Sequence, residues 1–396
     1  MNKYLDRHNP SDCCGCSACV QKCPKQCITM HNDKDGFLFP IVVNSQCIDC
    51  GICAKVCPME NAVEPSDSQR YYGAYNVKTH EVINSSSGGI YPALAKWVIA
   101  QGGIVYGAEL DVEHKLYHVG VNSLEKVSST IGSKYFQSDI KNTYQECKSN
   151  LDAGKVVLFT GTPCQVHGLK CFLRKDYEKL YTADVICHGV PSEKMFNAYV
   201  DFLEKKHKAK LVDINFRDKT RNGWSITLRY TMEFANGKRK DYFLISKLSE
   251  YFMAFLGGSI ARESCYVCPF SSLSRPGDIT MGDFWGYQTT RPDLRHDDGL
   301  SLILSNTDKG KELIDTLAKN GIVFKKVDEE CVKASENKNL YYPTKRPLLR
   351  DVVYQELENK GFEYIAKKYY RHTHTFKNKM KNNLPVFVVK LLQRKK

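Results

Sequence analysis

The chain carries one cysteine spacing twice. Cys13, Cys16, Cys19 and Cys23 precede Pro24; Cys47, Cys50, Cys53 and Cys57 precede Pro58, each 34 residues after its counterpart. This is a duplicated C-x2-C-x2-C-x3-C-P run, the spacing of a two-cluster iron–sulfur module in which the fourth Cys of each run ligates the other cluster. Cys13, Cys16, Cys19 and Cys57 are therefore assigned to one [4Fe-4S] cluster, and Cys47, Cys50, Cys53 and Cys23 to a second. Iron–sulfur chemistry needs soft thiolate ligands. A zinc site or a disulfide framework is the rival reading, and neither explains eight cysteines in double register. The chemistry expected is electron transfer.

The rest of the composition sets the frame. With 396 residues, two or three domains are expected. Residues 1–12 lack the apolar core of a signal peptide, and no apolar stretch reaches the length of a membrane span. Seventeen cysteines in such a chain point to metal ligation in a reducing cytoplasm. The formal charge of +13 counts every Cys as neutral. Each oxidised cluster with its thiolates carries about −2, which offsets part of that excess, so nucleic acid is not expected as a partner. Much of the remainder lies in Lys377, Lys379, Lys381, Lys390, Arg394, Lys395 and Lys396. Such a tail reads as a solvated end, or as a contact for an acidic partner or a membrane surface.

The composition changes twice along the chain. Residues 1–64 read as an α+β ferredoxin-like domain, with a β-ribbon over 36–43 between the cysteine runs. Residues 64–70 (EPSDSQR) read as a linker. Residues 71–340 read as an α/β domain, with strands over 72–77, 103–108, 156–160 and 180–186 and helices over 90–100, 165–173, 194–206 and 309–320. Residues 341–396 read as a helical, basic C-terminal extension, its helix spanning 350–370.

Several features of the central region point to a second cofactor. Ser85-Ser86-Ser87-Gly88-Gly89 precedes the helix at Ile90. Free N–H groups and the helix dipole suit a phosphate there, and plain helix capping is the alternative. Gly161-Thr162-Pro163-Cys164-Gln165 lies where a strand ends and a helix begins, the edge at which α/β sheets bind ligands. Cys265 and Cys268 form a C-x2-C, and Cys164 and Cys187 each end an expected strand. A shared metal site, zinc included, and burial as small apolar residues both fit these four. Cys14, Cys27, Cys147, Cys171 and Cys331 have no partner spacing and read as packing residues or unpaired thiols.

The fragments Ser87-Gly88-Gly89, Gly132-Ser133-Lys134-Tyr135, Gly161-Thr162-Pro163-Cys164-Gln165, Cys187-His188-Gly189-Val190-Pro191, Phe216-Arg217-Asp218-Lys219, Cys265-Tyr266-Val267-Cys268-Pro269 and Gly277-Asp278-Ile279-Thr280-Met281-Gly282-Asp283-Phe284-Trp285-Gly286 occur in that order. Together they resemble the coenzyme F420 hydrogenase/dehydrogenase beta-subunit family behind a two-cluster ferredoxin domain, over residues 10 to 330. The resemblance implies a flavin-binding α/β domain and an iron–sulfur flavoprotein oxidoreductase that passes electrons between its clusters, an FAD and a small-molecule two-electron substrate. Relatives reduce a deazaflavin coenzyme or chlorophyll-type pigments, so the family does not fix the substrate. It implies a third [4Fe-4S] cluster on Cys164, Cys187, Cys265 and Cys268. It also places the FAD pyrophosphate near Ser87, Gly88 and Gly89, with charge from Lys134 and hydrogen bonds from Gln137, Ser138, Thr162 and Gln165. Arg217 and Lys219 are candidates for an anionic substrate, or a charged turn before a strand; His188 is a candidate proton relay, or a hydrogen-bond partner of the cluster. Asp283 beside Trp285 reads as a structural corner. Ferredoxin or another electron-transfer protein is the expected partner. A relay subunit with no substrate of its own is the alternative function.

Overall fold

The computed structural model describes residues 1–66, 68–385 and 387–389. Lys390, Arg394, Lys395 and Lys396 of the basic tail, and Asp67 of the expected linker, lie outside the described residues. The described strands are β1 (Ile28–Asn32), β2 (Leu38–Val42), β3 (Arg70–Asn76), β4 (Ile104–Leu110), β5 (Leu116–Val121), β6 (Val157–Gly161), β7 (Leu180–Val185), β8 (Lys210–Asn215), β9 (Thr227–Glu233), β10 (Arg239–Ile245), β11 (Ile279–Asp283), β12 (Ser301–Ser305) and β13 (Ile322–Val327).

Eight strands form a mixed sheet in the order β13-β3-β12-β11-β7-β6-β4-β5. The pairs β4/β6, β6/β7 and β7/β11 are parallel, and β11/β12 and β12/β3 are antiparallel. Hence β3, β4, β6, β7 and β11 all run one way and end along one edge. β6 reads Val-Leu-Phe-Thr-Gly because a central parallel strand is covered on both faces. Alternate side chains enter different cores. Leu158 joins helix residues Leu94, Val98 and Leu313, while Val157 and Phe159 join Tyr144, Val166 and Leu169.

The N-terminal ribbon pairs β1 with β2, and the cysteine-rich region packs directly on the larger sheet. Helix Ala18–Lys22 lies on helix Pro163–Leu173, with Cys16 against Gly168. Gln21 Oε1 accepts from Tyr144 N at 3.0 Å, and Gln145 Nε2 donates to Gln21 O at 2.8 Å. Strands β10, β9 and β8 make a separate antiparallel sheet.

One helix over 350–370 is not what forms. Leu349–Ile365 is broken at Gly361 (φ +75°, ψ 173°), a conformation open to a residue without Cβ, and 366–370 form a single wider turn. This segment is built into the body of the protein. Val353, Tyr354, Leu357, Phe362, Ile365 and Tyr370 join a core with Phe196, Tyr199 and Tyr251. Among the described residues no helix is long and apolar enough to cross a membrane.

Candidate functional site

The common edge where β4, β6, β7 and β11 end forms one wall of a cavity of about 520 Å³. Ligands bind at this edge in α/β sheets because the strand-to-helix turns there are free to carry side chains and N–H groups. Residues 85–87 and Gly89 line one part of the cavity, and Cys164, Cys187, Cys265 and Cys268 line another.

The four cysteines come from three places. Cys164 opens helix Pro163–Leu173 after β6, Cys187 follows β7, and Cys265 and Cys268 sit in and after the turn Glu263–Val267. Burial and the charge of Cys164 push the Cys187 thiol up to about 12. Burial, then Cys187 and Cys268, hold Cys265 well above the ordinary thiol value, and burial with Cys164 raises Cys268. Thiols so placed ionise only against a cation, and coordinating iron supplies that compensation. Among the described residues no three His, Cys, Asp or Glu side chains converge on a single metal ion. The thiolates of a cube sit on separate irons, so a cluster does not require such convergence. The donor set fits a [4Fe-4S] group.

The N-terminal cysteines sort across the two runs. Cys13, Cys16, Cys19 and Cys57 line one small void, so the last Cys of the second run joins the first three of the first. Cys23, Cys47 and Cys53 pack against the cluster of Leu5, Cys19, Cys27 and Ile28, and Cys50 is exposed. The Cys23 and Cys27 sulfurs lie 3.5 Å apart, so Cys27 is a neighbour of the second set. Cys14, read from the sequence as a packing thiol, lines both the N-terminal void and the large cavity.

The residues expected to hold a flavin fall near the cavity, but several are engaged within the protein. Gly89 is the N-cap of helix Ile90–Ala100 in a left-handed conformation (φ +81°), with no side chain capping the first turn. This end of the helix lines the cavity and offers uncapped N–H groups to an anion. Ser87 Oγ donates to Leu300 O at 3.0 Å and accepts from Ser301 Oγ at 3.0 Å. Gly88 lies outside the lining, its N–H donating to Ser301 Oγ at 2.9 Å.

Lys134 lines the cavity, but its Nζ donates to the carbonyls of Ala108, Ser129 and Ile131 at 2.9, 3.1 and 3.0 Å. Burial brings its pKa down to about 7. Gln165 is the N3 residue of a capping box: its Oε1 accepts from Thr162 N at 3.0 Å, with Pro163 in the first turn. Its Nε2 donates to Ser138 Oγ at 2.9 Å. Gln137 Nε2 donates to Cys14 O at 2.9 Å. The side chains of Gln137 and Gln165, both in the cavity lining, thus bond to the wall itself.

Arg217 and Lys219 are buttresses here, not free cations. Arg217 clamps Asp283 with contacts of 2.6 and 3.1 Å, donates to Tyr135 Oη at 3.0 Å and holds Ser86 O at 3.0 Å. Asp283 also accepts from Trp224 Nε1 at 2.8 Å, the structural corner expected. Lys219 Nζ, brought down to about 7 by burial, donates to Ser87 O at 2.6 Å and Val82 O at 2.8 Å. His188 has both ring nitrogens engaged, with Asn339 Oδ1 at 3.1 Å and Leu256 O at 3.2 Å.

Two residues of the wall were not found from the sequence. His118, on β5, is stacked on Phe159 and held between Ser138 Oγ and Thr160 O, both at 3.0 Å; burial lowers its pKa to about 4. Arg262 lies three residues before Cys265 and reaches across to the N-terminal region, its Nε donating to Cys13 O at 2.8 Å. His118 stands in no motif. Arg262 had one signal, a cation just ahead of a C-x2-C.

Residues 154–330 match the family model for the C terminus of the coenzyme F420 hydrogenase/dehydrogenase beta subunit. Residues 12–63 match that of a 4Fe-4S dicluster domain. Both parts of the resemblance read from the sequence are thereby matched. No curated protein matches. Among solved structures, a chain of the F420-reducing [NiFe] hydrogenase complex from Methanosarcina barkeri, determined with xenon, superposes with a TM-score of 0.46 at 16% identity. The superposition covers 76% of this chain and 97% of that one.

Proposed function

We propose, from a chain that joins a 4Fe-4S dicluster domain to the C-terminal region typical of coenzyme F420 hydrogenase/dehydrogenase beta subunits, an iron–sulfur flavoprotein oxidoreductase acting on a small-molecule two-electron substrate. One observation carries the reading: four cysteines and an uncapped helix N-terminus line the same cavity at the carboxyl edge of the sheet. Cys164, Cys187, Cys265 and Cys268 would hold a third [4Fe-4S] cluster. The first turn of helix Ile90–Ala100, with Ser86 and Gly89 beside it, would hold the pyrophosphate of FAD. Clusters exchange single electrons, and a flavin supplies the exchange between single electrons and a two-electron substrate.

The protein's own residues prepare this site by fixing it. Arg217, itself held by Asp283, and Lys219 hold the carbonyls of Ser86 and Ser87, so the residues before the helix are set before any ligand arrives. His118, kept neutral by burial, and Gln165 fix the wall between β5 and β6 without adding charge. Cys50 is exposed and Ile48 beside it is 56% exposed, which gives an external carrier such as ferredoxin access to the second cluster.

The test is anaerobic full-length protein offered a viologen as reductant and a soluble two-electron acceptor. Turnover by this chain alone, lost in Cys164→Ser, is expected. Turnover only after a partner protein is added would support the alternative, a relay subunit of a larger complex, which a likeness to beta subunits favours.

A further inference from the structure

Among the described residues Arg262 is one of the largest side chains buried completely, at 1% exposure. Among the described residues its three hydrogen bonds run to Cys13 O (2.8 Å), Gln137 Oε1 (3.1 Å) and Leu38 O (3.0 Å), none of them a carboxylate. The adjacent carboxylate, Glu263, pairs with Arg346 and Arg350 instead. The guanidinium stacks over Phe39 at 4.0 Å and lies 5.5 Å from Phe37. A buried charge without a counter-charge is costly, and guanidinium never deprotonates to escape the cost.

Its position supplies an answer. On one side it touches Cys13 O and packs on Gly15, inside the loop that carries Cys13 and Cys16; a Cβ on Gly15 would stand 3.0 Å from Arg262 Nη1. On the other it lines the cavity of Cys164, Cys187, Cys265 and Cys268, and its carbonyl accepts from Cys265 N at 3.0 Å. Cys14 lines both spaces, so little separates them. A cluster with four thiolates carries about −2 when oxidised and one charge more when reduced.

We infer that Arg262 is the shared counter-charge of the two iron–sulfur sites that flank it, holding both reduction potentials up. The inference rests on the third cluster of the proposed function. A fixed cation beside a cluster stabilises the more negative, reduced state, and charge near a cluster is one of the terms that set its potential. Arg350 offers a contrast: it ties the same two regions together, but its Nη1 has the Asp35 carboxylate at 2.7 Å.

The experiment is a redox titration of anaerobic full-length holoprotein followed by electron paramagnetic resonance, with iron per chain counted first. In Arg262→Gln, with iron retained, the signals of both flanking clusters should move to lower potential by at least tenfold in the reduction equilibrium, about 59 mV for one electron. Arg262→Lys and Arg350→Gln should move neither. Unshifted signals, a shift confined to one cluster, or an equal shift in Arg350→Gln would overturn the inference. If Arg262→Gln loses iron, Gln137→Glu takes its place: it sets a carboxylate against the guanidinium, and the same downward shift is expected, with its absence equally contrary. About eight iron in the wild type would instead refute the third cluster, a failure read before any variant is titrated.

Discussion

On the proposed function, replacing Gly88 by Ala should weaken flavin binding without touching any group assigned to the flavin. A Cβ at this position would stand 2.4 Å from Ala74 O, 2.9 Å from Ser301 Oγ and 3.0 Å from Ser301 N. Two of these are backbone atoms of paired strands β3 and β12, so the loop must move instead. Overpacking of this kind costs about 1–3 kcal/mol, while Ala removes about 0.4–1 kcal/mol of unfolded-chain entropy. The net is about 1–2 kcal/mol, which becomes about a 5–30-fold loss of affinity when it falls on the loop that forms the site. Gly89→Ala should act similarly for a different reason, since its φ of +81° is left-handed and costs a residue with Cβ about 1–2 kcal/mol. Gly237→Ala is the control: its φ is +75° with open space around it, at the β9–β10 turn away from the cavity. Fluorescence titration of flavin-depleted protein with FAD reads all three. Unchanged affinity in Gly88→Ala, or an equal loss in Gly237→Ala, would refute the reasoning.

Three further outcomes are expected. Asp283→Asn leaves the buried Arg217 without its counter-charge; breaking such a pair costs about 3–5 kcal/mol, to be read as a lower denaturation midpoint. His118 has a folded pKa of about 4 against about 6.5 unfolded, so the unfolded chain binds the extra proton between those values. Stability should therefore fall by about 3 kcal/mol as pH drops from 6.5 to 4, and His118→Gln should flatten that limb in pH-dependent denaturation. Cys57→Ser should disturb the cluster of Cys13, Cys16 and Cys19, with up to about four iron lost per chain, whereas Cys147→Ser should leave the iron count unchanged.

Spacing and periodicity made much of this protein legible. The doubled cysteine run points to a two-cluster domain, which the dicluster match over residues 12–63 bears out, and Cys13, Cys16, Cys19 and Cys57 line one void. Helix Ile90–Ala100 falls on the expected residues, and β6 and β7 lie within a residue of expectation, because apolar runs bounded by Gly and Pro mark buried elements. What a side chain does with its polar atoms was not legible. Gln165 and Thr162 look like ligand contacts at a strand-to-helix turn, yet Gln165 at N3 satisfies helix-end N–H first. Lys134 carries a charge in the sequence and three carbonyls around it in the fold. Arg262 sits next to Glu263 in the sequence, yet the fold gives Glu263 to Arg346 and Arg350 and turns Arg262 inward. The helix 349–365 was legible as a helix, but its burial was not. Its apolar residues are spread around the axis, and Gly361 breaks the period near its end.

The most direct test of the central claim is cofactor content: iron, sulfide and released flavin per chain in anaerobically purified full-length protein. About twelve iron with matching sulfide, on three clusters, and one FAD are expected. About eight iron and no flavin would contradict the claim, leaving a two-cluster relay and an α/β cavity whose four cysteines hold nothing that transfers electrons.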